Sequence, residues 1–162
     1  MTWSPDLMAA AGLTHGGFHR HFESKEQVVE EALAVATESM VEAMRRALLA
    51  SPGDRGLHAA IAEYLSIKHR DDAAGGCPFV ALGSEVARSG DAVREATTTG
   101  FLKMVDIITI QIEGMSPAAA KKEAIVMLST MIGAMNMARI VADPDLSASI
   151  LRQECRHLTR SS

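Results

Sequence analysis

The chain has 162 residues, with 48% apolar and only 4% aromatic side chains. That is enough for one domain with a core, or a small head on one helical body, and the ten methionines favour helices packed by adaptable side chains over sheets with aromatic cores. A formal net charge of −4 excludes a global basic field, so any affinity for nucleic acid has to be local.

The first element read along the chain is a compact helix, turn and helix over residues 4–25. Leu7, Met8, Ala10 and Ala11 give a small apolar face that stops at Gly12. Leu13 is a buried turn residue, and Thr14 caps a helix of about residues 15–21. So short a helix cannot stand alone. It is predicted to be held by Phe18 and Phe22, four apart on one face. The opposite face presents His15, Gly16, His19 and Arg20. Ser24 and Gln27 form a capping box for a long linking helix of residues 25 to about 50. Its expected inward set is Val28, Val29, Ala32, Val35, Ala36, Met40, Met44 and Leu48.

Ser51-Pro52-Gly53 breaks the linking helix, and Asp54 opens another to about residue 69 with Leu57, Ile61, Tyr64 and Leu65 inward. Residues 70–76 are polar, end in Gly-Gly and predict a surface loop. A short helix follows over residues 77–88, then one capped by Asp91 to about residue 113. Ser116-Pro117 is a strong start signal, a cap followed by proline at the first helical position. The helix it opens runs to about residue 142 and is apolar almost all round from residue 124, so a second partner is required beside its own core. Ser129, Thr130, Asn136 and Arg139 in that run argue against a membrane span. Asp143-Pro144 ends it, and a last helix carries Ile150, Leu151, Cys155 and Leu158. The fold class is all-α, a partial helix-turn-helix head and linking helix on a helical body, divided as residues 1–45 and 46–162.

The run AAGLTHGGFHRHFESKEQVVEEAL resembles the DNA-binding signature of the tetracycline-repressor (TetR/AcrR) family of bacterial transcriptional regulators. The match is one of spacing: Ala-Gly-Leu at the turn, Thr14, Gly16, Phe18, His21-Phe22 and Ser24-Lys25-Glu26. It departs at His19, where the family usually has tyrosine. Only Met1-Thr2-Trp3 precede the unit, where the family has a full helix. The expectation is an N-terminally truncated chain with a mis-assigned start. More weakly, GCPFVALGSEVARSG and MARIVADPDLSASILRQ are similar to segments of the family's regulatory domains.

The resemblance implies a ligand-responsive regulator, most simply a repressor, whose paired short helices enter successive major grooves of a palindromic operator duplex. Thr14, His15, Gly16, His19, Arg20 and Lys25 are the DNA-contact candidates, with Lys25 at a helix N-terminus suited to phosphate. It also implies a homodimer through residues 116–160 and a small-molecule effector in the body, with Tyr64, Phe79, Phe101, Met104, Met127, Met131 and Asn136 as candidate lining. For each of these residues, ordinary core is the competing assignment. The rival function, from a different class, is a dimeric small-molecule-binding or interaction module that has lost DNA binding.

Three further readings follow from residue types. His15, His19 and His21 have helical spacing for a shared metal, but no further ligand lies near in sequence, so no metal is expected. Cys77, after Gly-Gly and before Pro78, is a possible exposed redox-sensing thiol, weighed against inert packing; Cys155 reads as interface packing. Two distant cysteines, no signal peptide and no membrane span place the chain in the cytoplasm. No GxSxG, P-loop, HExxH or dinucleotide fingerprint is present, so neither an enzyme nor a cofactor is expected.

Overall fold

In the computed structural model, the described residues are Phe22, 24–50, 54–72 and 75–160. They form seven α-helices: α1 (Lys25–Leu49), α2 (Asp54–Tyr64), α3 (Ile67–Asp71), α4 (Pro78–Val86), α5 (Asp91–Thr109), α6 (Pro117–Ile140) and α7 (Pro144–Arg160). No strand occurs among the described residues, so the all-α expectation holds. The first helix-turn-helix residues lie outside the described part.

The helix starts follow local chemistry. Ser24 Oγ accepts the Gln27 N–H at 3.1 Å and caps α1. Ser116 Oγ does the same for Ala119, and Pro117 occupies the first turn of α6. Asp143 opens α7: its carboxylate accepts the N–H groups of Asp145 and Leu146. Gly90 rather than Asp91 is the N-cap of α5, which ends at Thr109, short of the expected residue 113. The predicted helix over residues 54–69 is split. Ser66 turns extended and caps α3 by accepting the His69 N–H, which stops α2 and starts a new short helix.

The core lies where α1, α2, α5, α6 and α7 meet. Leu57, Ile61, Met104, Ile108, Leu128, Met131, Met135 and Leu151 are its largest fully buried side chains. The inward face of α1 differs from expectation. Leu33, Thr37, Val41, Met44 and Leu48 are buried, at spacings of three and four, while Val35 is 69% exposed and Ala32 is exposed. The helix has two apolar stripes, and the one predicted as core mostly faces elsewhere.

Where α1 crosses α5, Gly100 lets the two backbones approach. A Cβ at Gly100 would sit 2.3 Å from Thr37 Cγ2. At the rim of the same crossing, Lys103 Nζ meets Glu38 Oε2 at 2.6 Å and holds the Glu38 carboxyl below its ordinary range.

α6 is buried along Ala120, Ala124, Met127, Leu128, Met131, Met135 and Ala138. It is not buried all round. Ile125, Val126, Met137 and Ile140 are exposed, with Val126 at 57% and Ile140 at 64%. No helix among the described residues is long and apolar enough to cross a membrane.

Candidate functional site

The outward stripe of α1 faces residues 63–76 across a cleft of about 790 Å³. One wall, on α1, is mainly apolar, made of Val28, Ala32, Val35, Ala36, Met40 and Ala43 with Glu31 and Ser39 among them. The other is polar: Glu63 from α2, Ser66, Lys68 and His69 around α3, then Asp72, Gly75 and Gly76. A cleft of this size and mixed lining suits a drug-sized organic molecule.

The polar wall is wound around one guanidinium from α6. Arg139 Nε donates to the Arg70 carbonyl at 2.9 Å, and Nη2 donates to the carbonyls of His69 at 3.1 Å and Asp72 at 3.4 Å. These are the carbonyls that a helix end leaves without partners, so Arg139 acts as the C-terminal cap of α3. Asp72 Oδ1 accepts the Gly75 N–H at 2.7 Å and turns the chain. Gly76 is required by closeness: a Cβ there would lie 2.5 Å from the Asp72 carbonyl oxygen and 2.6 Å from Arg139 Nη2. Arg70 Nη1 also donates to Ser147 Oγ at 2.8 Å, and Ser147 donates to the Ala138 carbonyl. The wall is therefore braced against both α6 and α7.

Met40, Ala43, Glu63 and His69 also border a small recess of about 60 Å³, together with Met44, Ala47, Ala60 and Tyr64. Tyr64 is only 4% exposed. Its ring lies 4.8 Å from that of His69, tilted by 32°. Tyr64 Oη and His69 Nε2 are both buried and make no hydrogen bond with the protein. Burial pushes the Tyr64 hydroxyl well above its ordinary range, and the neighbouring Cys77 adds to this. Burial, then the Arg139 charge, lower the His69 imidazole below its ordinary value, which keeps it neutral near pH 7.

The sequence-predicted residues fare unevenly. Thr14, His15, Gly16, His19 and Arg20 lie outside the described residues, and Lys25 is the first residue of α1. Of the seven candidate lining residues, only Tyr64 borders the cleft's recess. Met104, Met127 and Met131 are close-packed core. Phe79 and Phe101 stack edge to face with centroids 6.1 Å apart. Asn136 is exposed.

Of the two readings of Cys77, inert packing fits the structure and an exposed redox-sensing thiol does not. Cys77 is 0% exposed, and burial raises its pKa, outweighing the nearby Tyr64 hydroxyl and the N–H groups of Val80 and Phe79. A buried, protonated thiol is a poor nucleophile. Among the described residues no three His, Cys, Asp or Glu side chains are grouped to hold a metal.

Most of the cleft escaped the sequence reading. Its one legible signal was the surplus of apolar residues on the linking helix, too many for a single buried face.

Residues 54–146, more than half of the chain, match the family model described as "Transcriptional regulator LmrA/YxaF-like, C-terminal domain". Residues 2–32 match that of "Bacterial regulatory proteins, tetR family". Among solved structures the chain is similar to E. coli NemR in its reduced form, with a TM-score of 0.80 and 18% identity, over 98% of this chain and 85% of that one. No curated protein is matched.

Proposed function

The chain belongs to the TetR family and is a ligand-responsive, DNA-binding transcriptional regulator, and we propose that it is a dimeric repressor released from a palindromic operator by a small molecule in the α1 cleft. The observation that carries the release step is the cleft's unequal walls. The polar wall is hydrogen-bonded to α6 and α7, whereas the apolar wall is α1 itself, the helix continuous with the matched head residues 2–32. A ligand that wedges between them shifts α1 relative to a braced frame and changes the head spacing.

The exposed row of Val126, Met137 and Ile140 on α6, continued by Leu146 on α7, supports a homodimer through residues 116–160. Thr14, His15, Gly16, His19, Arg20 and Lys25 are the proposed operator contacts. The match of residues 2–32 favours the regulator over a binding module that has lost DNA affinity.

The test is fluorescence anisotropy on a pool of random duplexes, with mass measured by light scattering, for wild type and Val126→Glu. Selective, salt-sensitive binding by a dimer, weakened together with dimerisation in the variant, is the expected result. A dimer that selects no duplex would instead support the binding module.

A further inference from the structure

Resting on the assignment of the α1 cleft as the effector site, we infer that its ligand is an uncharged, mainly apolar molecule ending in a carbonyl-type oxygen, which Tyr64 Oη and His69 Nε2 grip together in the recess. The argument starts from the two polar atoms. Both are buried and without a protein hydrogen bond, and both residues border the same recess. Groups so placed are costly to leave unmatched, and a site built around them selects a ligand that matches them.

The donor inventory sets the chemistry. A tyrosine hydroxyl donates one proton, and His69, assigned here the neutral tautomer protonated at Nε2, donates another. A carbonyl oxygen has two lone pairs and can accept both. Burial and the Arg139 charge keep His69 neutral, so the pair offers two neutral donors rather than a cation.

Charge on the ligand's head is disfavoured in both signs. The recess of about 60 Å³ strips the head of water, which penalises any ion. Arg139, the nearby guanidinium, borders neither the cleft nor the recess, and its Nε and Nη2 are engaged by three backbone carbonyls. Glu63 borders both the recess and the outer cleft and repels an anion further. The small apolar side chains of α1 then accept the rest of the molecule, and Ala36 and Ala43 leave room for a flat or branched body.

Four probes on one skeleton separate these terms: 2-acetylnaphthalene, 2-ethylnaphthalene, 2-naphthoate and 2-(aminomethyl)naphthalene. Each is titrated by calorimetry into the full-length wild type, Tyr64→Phe and Ala36→Trp. The ketone is expected to bind wild type about tenfold more tightly than the ethyl compound. Tyr64→Phe, which keeps the ring and its packing, should remove most of that advantage and leave the ethyl affinity unchanged. Ala36→Trp, filling the cleft, should weaken every probe. Tightest binding by the acid or the amine, still blocked by Ala36→Trp, would overturn the ligand class and leave the cleft assignment standing. Ketone binding that Tyr64→Phe does not change would overturn the role of the recess. Binding insensitive to Ala36→Trp, or no binding by any probe, would overturn the cleft assignment and this inference with it.

Discussion

Gly100→Ala is the sharpest test of how α1 is held to the body. The added Cβ would stand 2.3 Å from Thr37 Cγ2, with Thr37 Cβ at 3.2 Å and Oγ1 at 3.3 Å. Ordinary carbon–carbon contact begins near about 3.5 Å, so the first approach is short by about an ångström and the other two by only a few tenths. Thr37 is buried, and the helices must part or the side chain must leave its rotamer. Overpacking of this kind costs about 1–3 kcal/mol. Against it, alanine gains about 0.5–1 kcal/mol over glycine inside a helix. The net loss should be up to about 2.5 kcal/mol, a fall in Tm of up to roughly 10 °C for a chain of this length. Circular dichroism melts at one fixed protein concentration would measure it, because the proposed dimerisation would make Tm depend on concentration. Thr37→Ser deletes Cγ2 alone, so the double variant should recover most of the loss, with a coupling of about 1 kcal/mol in the double-mutant cycle. A Gly100→Ala protein that melts higher than wild type, or a pair whose effects simply add, would refute the close crossing.

Other expectations concern the cleft. Tyr64→Phe removes a buried hydroxyl without a protein partner and should raise stability by about 1 kcal/mol, read as a higher urea midpoint at unchanged slope; a lower midpoint would mean that the hydroxyl is satisfied. Gly76→Ala drives a methyl against Arg139 Nη2 and the Asp72 carbonyl, and should cost about 1–3 kcal/mol. Amide exchange over residues 67–72 should accelerate first, with the centre of α6 still protected; unchanged exchange over residues 67–72 would contradict the wall as described. For pH, His69 binds its proton less readily folded than unfolded, because burial and Arg139 lower its pKa from the ordinary 6.5. The unfolded chain therefore holds more protons between the lowered value and 6.5. Its contribution is complete above 6.5 and is lost as the pH falls through that window. Urea midpoints at pH 7.0 and 5.5 should drop further for wild type than for His69→Gln, and equal drops would rule this contribution out.

The order of the helices was legible because their ends carry short-range chemistry. Ser24, Ser116-Pro117 and the Asp143-Pro144 junction act within three residues of themselves, and the structure shows each acting so. The inward face of α1 was not legible, for two reasons. Its buried stripe is interrupted by Thr37, a polar residue that disguises the run from Leu33 to Val41. Thr37 is tolerated there because Gly100 faces it, a pairing 63 residues apart that no local pattern reveals. The polar wall of the cleft was hidden in the same way. Gly75-Gly76 reads as a flexible loop, yet the second glycine is fixed by a guanidinium from residue 139. Cys77 suggested exposure from its Gly-Gly-Cys-Pro setting. The proline instead begins α4, and the thiol turns inward beside Tyr64.

The division of α1 into two stripes separates two kinds of selection along one helix. Substitutions at Leu33, Thr37, Val41, Met44 or Leu48 disturb close packing and are purged on stability. Ala32, Val35 and Ala43, on the other stripe, are exposed within the cleft and carry little of the fold. Exchanges there, each enlarging or narrowing the space opposite a fixed polar wall, fall among surface changes worth at most about 0.5 kcal/mol. With the cleft as the proposed effector site, chemical recognition can change there while the scaffold stays put, which makes the outward alanines the natural positions to randomise when redirecting this protein to a new ligand.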